Sequence, residues 1–248
     1  ISKIPAYGPL PVSVPGCVDG WFEMHDRFGK LKMKKILDPA IHYAENGFPV
    51  TELVAHYMKL SEKRFVNYPN FNKTYTIGGS TPVKGQIFKN KFLANTFRVI
   101  SKEGRKGFYE GLIAKTISDF IIKQGGFLSY DDLKNHKSDW IEPVSTNYRG
   151  FDVWELPPNG QGIAALQILN ILEKFDIKSM GFGSAEYIHH FVEAKKIAFA
   201  DRAKYYADMD FNEIPVDYLI SKEYADKRRS EISKTRAARS VKAGEIEN

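Results

Sequence analysis

The chain has 248 residues, of which 43% are hydrophobic and 27% charged, a composition typical of a globular protein with one large or two modest domains. The formal net charge of +6 is modest for this length, and most of the excess is local. Cys17 is the only cysteine, which excludes an internal disulfide and a cysteine-based zinc site.

The ends of the chain give few indications of location. Ile1-Ser-Lys-Ile-Pro5 has neither an initiator Met nor the succession of basic, apolar and small residues of a signal peptide. No run approaches the roughly 18 apolar residues that a membrane span needs, so no membrane span is expected. The C-terminal end, just beyond a basic stretch, is expected to be a cut or processed end. The compartment stays open.

Helical periodicity dominates the chain. An amphipathic segment is predicted from the turn at residues 14–20 to residue 28, and further helices at residues 33–46, 51–67, 90–102, 107–124, 163–172 and 184–208. Ser129 and Asp132 form a capping pattern that predicts a short helix, and residues 68–85 predict a loop excursion. The predicted buried faces are Ile36, Ala40, Tyr43 and Ala44; Leu112, Ile113, Thr116, Ile117, Phe120 and Ile121; and Ile188, Phe191, Val192 and Ile197.

Strand character is confined to residues 144–148 and 151–156, with Arg149 and Gly150 as a hairpin turn. Because an isolated hairpin is marginal in water, these strands need partner strands from elsewhere. A mostly helical chain with one such hairpin is therefore predicted to be part of a larger α+β assembly.

A Gly-rich loop follows the second strand and leads into the helix at 163–172. Asn159 and Gln161 flank Gly160 at the end of a strand, where backbone and amide groups can line a pocket. We therefore take Asn159, Gly160 and Gln161 as candidate substrate-binding residues. The alternative is that Pro157, Pro158 and the glycines only shape the turn. No Gly-Lys-Ser/Thr follows, so no cofactor-binding phosphate loop is predicted.

The six histidines predict no metal site. His189 and His190 are adjacent on a helix and point about 100° apart, so they cannot chelate one ion as an i, i+4 pair would. Asp201 and Arg202 are interpreted as a structural ion pair or cap contact rather than catalytic groups, because charges beside a core are costly unless paired.

Residues 227–242 hold seven basic side chains against one acid, Glu231. The segment lacks interleaved aromatic residues for base stacking, and no known nucleic-acid-binding module surrounds it, so no nucleic-acid partner is expected. We interpret it as a solvated linker, which divides the chain into a body at residues 1–226 and a basic linker at residues 227–248.

Seven short motifs occur in the order found in one protein family. They are Val14-Pro-Gly-Cys-Val-Asp-Gly20, Asp38-Pro-Ala-Ile-His-Tyr-Ala-Glu-Asn-Gly-Phe48, Phe108-Tyr-Glu-Gly111, Gln124-Gly-Gly126, Asp131-Asp-Leu133, Tyr148-Arg-Gly150 and Pro157-Pro-Asn-Gly-Gln-Gly162. Together they resemble the large subunit of the γ-glutamyltransferases, which are N-terminal-nucleophile hydrolases. The Asn-Gly-Gln-Gly of the last motif is closer to the cephalosporin-acylase-like branch of that family.

The resemblance implies a fold and a partner. The chain is expected to be the mostly helical large-subunit part of a four-layer αββα sandwich, with residues 227–248 approaching an autocleavage site. The partner is expected to be a small subunit whose new N-terminal Thr is the nucleophile. That Thr and the Arg that holds the substrate α-carboxylate have no counterpart here, so no catalytic residue is assigned to this chain, and neither a metal nor a cofactor is expected.

The implied function is cleavage of γ-glutamyl amide bonds in glutathione-type substrates. A Thr-bound glutamyl ester forms and passes to water or an amino acid. Two alternatives stay open at this point: an amidohydrolase of the cephalosporin or glutaryl acylase type, and a non-catalytic helical binding module. The chain alone is expected to be inactive, because Ile1 carries no nucleophile.

Overall fold

The computed structural model describes residues 4–246, and the chain divides into two compact units, Ile1–Asp139 and Trp140–Asn248. The first unit contains α1 (Cys17–Phe28), α2 (Met33–Asn46), β1 (Phe48–Pro49), α3 (Glu52–Phe65), α4 (Phe71–Tyr75), β2 (Ile87–Phe88), α5 (Lys91–Tyr109), α6 (Leu112–Lys123) and α7 (Tyr130–Asn135). The second contains β3 (Val144–Tyr148), β4 (Phe151–Glu155), α8 (Gly162–Leu172), α9 (Ile177–Met180), α10 (Ala185–Tyr205), α11 (Val216–Leu219) and α12 (Lys222–Arg229). Within residues 4–246, no helix is both long and apolar enough to cross a bilayer.

Local sequence signals explain where several helices begin and end. The Thr51 hydroxyl accepts a hydrogen bond from the Val54 N–H and caps α3. Ser129 and Asp132 form the predicted capping box at the start of α7, which confirms that short helix. Gly47, at a positive φ of 94°, ends α2 as predicted.

The boundary between α5 and α6 differs from the prediction. Gly104 has a φ of 68° inside α5 and kinks it, and the helical turn after the kink continues to Tyr109. The next helix therefore begins at Leu112 rather than at Gly107. The short pair β1–β2, with Phe48 opposite Phe88, was not predicted, because strands of two residues show no alternation to detect.

Two predicted buried faces in the first unit are partly wrong. In α2, Ile36 and Tyr43 are exposed, whereas Ala44 is buried as predicted, together with Leu37. In α6, Leu112, Thr116 and Phe120 are exposed, while Ala114, Ser118 and Ile121 are buried. The core of this unit is formed by Val18, Leu37, Ile100, Phe108, Tyr109, Ala114, Ile121, Leu128 and Leu133.

In the second unit, β3 and β4 form the predicted antiparallel hairpin, with Thr146 opposite Val153. One face packs on α8, where the buried Thr146 hydroxyl donates to Asn170 Oδ1 at 2.8 Å. On the other face, Trp154 is 60% exposed. Among residues 4–246, the two strands pair only with each other. The hairpin is therefore covered on one face and open along both edges, and the strands that would complete the sheet stay a prediction.

The buried side of the long helix α10 differs from the predicted one. Ile188, Phe191 and Val192 are 51%, 44% and 39% exposed. Of the predicted apolar face only Ile197 is buried, and the buried side is formed by His190, Glu193, Ala194, Ile197, Ala198 and Asp201. The buried side of the helix therefore combines three polar residues with three apolar ones.

The start of the basic segment is not a solvated linker. Helix α12 runs through the predicted boundary at residue 226, and Arg228 is only 4% exposed. Arg229 donates from Nε to the Ile171 carbonyl at 2.7 Å, and Ile232 lies in a hydrophobic cluster. Lys234, Arg236, Arg239 and Lys242 are exposed. These basic residues are therefore divided between structural and solvated roles, while their approach to an autocleavage site stays a prediction.

Candidate functional site

The candidate loop connects the end of β4 to the start of α8. Pro158 is buried, whereas Asn159, Gly160 and Gln161 are exposed. A Cβ placed on Gly162 would lie 2.7 Å from both the Leu156 carbonyl oxygen and a Glu155 carboxylate oxygen, so a side chain does not fit there. The turn into α8 is thus shaped by Pro158 and Gly162, on either side of the three candidate residues.

The side chains of Asn159 and Gln161 have no structural task that the fold reveals. Within residues 4–246, no hydrogen bond to either amide is found, and Gln161 does not cap α8 with its side chain. Only the Gln161 carbonyl is engaged, accepting from the Ala164 N–H at 3.1 Å. Both amides are therefore available to a ligand that lies outside this chain's own contacts.

Pro157, and not the three candidate residues that follow it, lines an open cavity. Pro157 lines an open cavity of about 570 Å³ together with Met209, Val216 and Asp217. Asn159, Gly160 and Gln161 are not among the residues that line it.

Buried polar contacts fix α8 behind the loop. Gln167 donates from Nε2 to Asp201 Oδ2 at 3.0 Å and accepts from the Tyr206 hydroxyl. Burial, reinforced by the Asp201 charge, raises the pKa of Tyr206 far above its usual range, so the hydroxyl remains a donor. One turn further along, Asn170 donates to the Ile220 carbonyl at 2.6 Å. The helix that carries the loop is therefore held on its inner side.

Asp201 lies at the centre of this polar network. It is fully buried and pairs with Arg228 at 3.4 Å, not with its neighbour Arg202. Arg202 is exposed, with its guanidinium 5.6 Å from the centre of the Phe199 ring. The structural interpretation of Asp201 is supported, but the partner lies 27 residues away and no spacing rule indicates it.

Asp19 is a second buried charge, and no pattern in the sequence indicates it. Asp19 is 1% exposed and accepts hydrogen bonds from Arg105 Nε and from the Ser138 N–H. Burial opposes ionisation of this carboxyl, but these hydrogen bonds outweigh it and hold its pKa below the usual range. Arg105 also lies over the Tyr109 ring at 4.7 Å, so this cluster ties α1 to α5.

Two neighbouring histidines of α10 contact main-chain carbonyl oxygens. His189 contacts the Ser233 carbonyl oxygen at 2.6 Å, and His190 contacts the Glu186 carbonyl oxygen at 2.9 Å. In the part of the chain that the structure describes, no group of three or more His, Cys, Asp or Glu side chains is placed to hold a metal ion.

Comparison with known proteins identifies the family. A sequence profile described as Gamma-glutamyltranspeptidase matches residues 1–247, so the chain belongs to the γ-glutamyltranspeptidase family. It is 38% identical over 232 residues to the Glutathione hydrolase-like YwrD proenzyme of Bacillus subtilis, an alignment that covers 93% of this chain and 44% of that relative. The chain spans less than half the length of the curated relatives that it matches.

Solved structures give the same result. A γ-glutamyltranspeptidase of Helicobacter pylori superimposes with a TM-score of 0.88 at 35% identity, covering 98% of this chain and 70% of that one. A cephalosporin acylase of Bacillus halodurans superimposes with a TM-score of 0.85 at 38% identity, covering 93% and 44%. The family resemblance and the α+β fold class are thus confirmed, and proteins of both branches are similar to this chain.

Proposed function

We propose that this chain is the large-subunit portion of an enzyme that cleaves γ-glutamyl amide bonds. The observation that carries the proposal is the match to the γ-glutamyltranspeptidase family over residues 1–247. The hairpin with two open edges and one exposed face supports it, because such a hairpin needs further strands to become a stable sheet. The proposed partner is a small subunit, produced by autocleavage of a common precursor, that begins with the nucleophilic Thr.

In the proposed reaction the Thr hydroxyl attacks the γ-carbonyl carbon of the substrate, and the Thr α-amino group takes the hydroxyl proton. The C–N bond then breaks, the leaving amine receives that proton, and a glutamyl ester remains on the Thr. Water or the amine of an amino acid attacks the ester and releases glutamate or a new γ-glutamyl compound. None of these proton transfers is assigned to a residue of this chain.

The proposed task of this chain is to form one wall of the substrate site. Asn159 and Gln161 offer exposed amides at the end of β4, and Gly160 leaves open space around them, since a Cβ there would have no neighbour within 4 Å. Amides can donate to a substrate carboxylate and accept from its ammonium group. We assign these residues to substrate binding and not to proton transfer.

The test compares the complete gene product with this chain. The full-length protein should release the chromophore from a γ-glutamyl anilide, and the purified 248-residue chain should not. Co-expression of the chain with the downstream segment should restore release, which separates a missing nucleophile from a misfolded sample. Turnover by the 248-residue chain alone would refute the assignment, and absence of turnover by the full-length protein on any amide would favour a binding module.

A second candidate is an acylase that removes glutaryl-type side chains. The Asn-Gly-Gln-Gly sequence of the loop and the 38% identity to a cephalosporin acylase favour it. A glutaryl group lacks the α-ammonium of a γ-glutamyl group, so the two substrates require different polar contacts. The ratio of kcat/KM for a γ-glutamyl anilide and the matching glutaryl anilide distinguishes the candidates: a ratio above one supports the first and a ratio below one the second.

A further inference from the structure

Helix α10 holds the main chain of the segment that follows α12. We name residues 233–246 the strap. His189 contacts the Ser233 carbonyl oxygen at 2.6 Å, at the beginning of the strap, and Ile246, at its other end, packs in a hydrophobic cluster of the second unit. Between these points, side chains of α10 bind the main chain of the strap at Ala238 and Gly244. Arg228 of α12 also donates to the Lys242 carbonyl at 2.8 Å.

At Ala238, both polar groups of the backbone are bound. The N–H donates to Glu193 Oε2 at 3.1 Å, and the carbonyl accepts from Lys196 Nζ at 2.9 Å. Glu193 is 3% exposed and also accepts from Lys196 at 2.7 Å. A buried carboxylate is costly unless it is paired and hydrogen-bonded, and here it receives a cation and a backbone donor.

The same arrangement recurs two helical turns later, at Gly244. Its N–H donates to Asp201 Oδ1 at 2.8 Å, and its carbonyl accepts from the Tyr205 hydroxyl at 2.5 Å. A Cβ at this position would overlap the Tyr224 hydroxyl and lie 3.0 Å from Arg228 Cδ, so only glycine fits at this depth. Asp201 and Glu193 are eight residues apart, about 12 Å along the helix.

These contacts fix the orientation of the strap backbone as well as holding it against α10. Apolar side chains of the strap such as Val241 and Ile246 can hold it in place, but their attraction is non-directional. Binding of both the N–H and the C=O of one residue fixes the orientation of that peptide, and two such points fix the direction between them. Helix α10 therefore orients the strap through main-chain atoms, whatever most of its side chains are.

We infer that Glu193, Lys196, Asp201 and Tyr205 are positioning residues for autocleavage, because they orient the polypeptide that leads to the processing site of the precursor. The inference rests on the proposed function, in which the peptide bond before the nucleophilic Thr lies beyond the strap. In that step the Thr hydroxyl adds to the carbonyl carbon of the preceding residue. The peptide C–N bond between the two residues breaks to give an ester, and the hydroxyl proton passes to the new α-amino group of the Thr. Water then hydrolyses the ester. A loosened strap presents this bond in the productive orientation less often.

Adjacent tyrosines provide a matched pair for the test. Tyr205→Phe removes the hydroxyl that binds Gly244, whereas Tyr206→Phe removes a hydroxyl that binds Gln167 and does not touch the strap. The rate of autocleavage of the purified full-length precursor is followed by gel electrophoresis, together with Tm. Tyr205→Phe should slow cleavage about 2- to 10-fold, the effect of one lost hydrogen bond. Tyr206→Phe should leave the rate within about twofold of wild type even if it lowers Tm.

Gly244→Ala is the second variant, because it displaces the strap without altering α10. It should slow cleavage at least as much as Tyr205→Phe, since its Cβ overlaps the Tyr224 hydroxyl. Equal slowing by the two tyrosine variants, or no slowing by either Tyr205→Phe or Gly244→Ala, would overturn the inference. A wild-type precursor that does not cleave itself would contradict the proposed function instead, so the two failures are distinguishable.

Discussion

Neutralising Asp201 should destabilise the second unit strongly. Its carboxylate is fully buried and accepts hydrogen bonds from the Gln167 side chain and the Gly244 N–H. It also forms an ion pair with Arg228. Asp201→Asn keeps the size of the side chain but leaves Arg228, 4% exposed, without its buried counter-charge. Breaking a buried pair costs about 3–5 kcal/mol, and we expect about 3 kcal/mol because Arg228 keeps its contact with Glu231. At roughly 2–4 °C per kcal/mol for domains of this size, Tm should fall by about 6–12 °C.

The assay is a double-mutant cycle in the full-length protein, with Tm measured by circular dichroism. Arg228→Met removes the other charge, and the double variant with Asp201→Asn leaves neither buried ion. The double variant should be more stable than the sum of the two single effects predicts, by at least about 1 kcal/mol. A loss below about 1 kcal/mol for Asp201→Asn, or strictly additive effects, would refute the view that the pair is energetically coupled.

Further predictions concern the loop and a second buried acid. In the active enzyme, Asn159→Ala with Gln161→Ala should raise KM more than it lowers kcat; unchanged kinetics with a lower Tm would make the loop purely structural. Gly162→Ala should lose about 1–3 kcal/mol of stability by denaturant titration, while Gly160→Ala, with open space around it, should lose less; equal losses would contradict the packing argument. Burial opposes ionisation of Asp19, but its hydrogen bonds lower the pKa, so its stabilisation is present above the unfolded pKa of about 4 and is lost as pH falls through the folded value. Asp19→Asn should therefore flatten the decline of Tm below about pH 4, and an unchanged slope would exclude this role.

The elements that sequence predicts best are those whose signal is local. The hairpin follows from two short runs separated by Arg149 and Gly150, and β3 and β4 pair around that turn. The apolar helix α8 begins after a Gly-rich loop and ends at Leu172 as predicted. Ser129 caps α7 through contacts within three residues. In each case the physical cause lies within a few positions of the element itself.

The misplaced start of α6 shows where local signals fail. Gly104 and Gly107 both interrupt the same helical pattern, and sequence does not state which of them adopts a positive φ. The structure gives Gly104 a φ of 68° and leaves Gly107 in the helix, where a Cβ would lie 2.7 Å from Glu103 Cβ. The structure, and not the helical pattern, shows which of the two glycines kinks the helix.

The candidate site likewise has features that are local in the sequence and features that are not. The position of Asn159 and Gln161 between a strand and a helix is local and was predicted. The contacts that support the loop are not local and do not follow from the sequence. Gln167 and Asp201 lie 34 residues apart, and Asp201 and Arg228 lie 27 apart. No periodicity joins such positions, so sequence indicates that a charge needs a partner without indicating which one.

Helix α10 shows why an amphipathic pattern can assign the wrong face. The rule assumes that a helix buries its apolar residues against other side chains, but part of the inner face of α10, at Glu193 and Asp201, binds main chain. Main-chain N–H and C=O groups must be hydrogen-bonded when buried, so Glu193 and Asp201 face inward to accept from Ala238 and Gly244. Apolar residues such as Phe191 then remain on the opposite side, where 44% of its surface is exposed. The two acids on the buried side of this helix are thus explained by the main chain of the strap, which each of them binds.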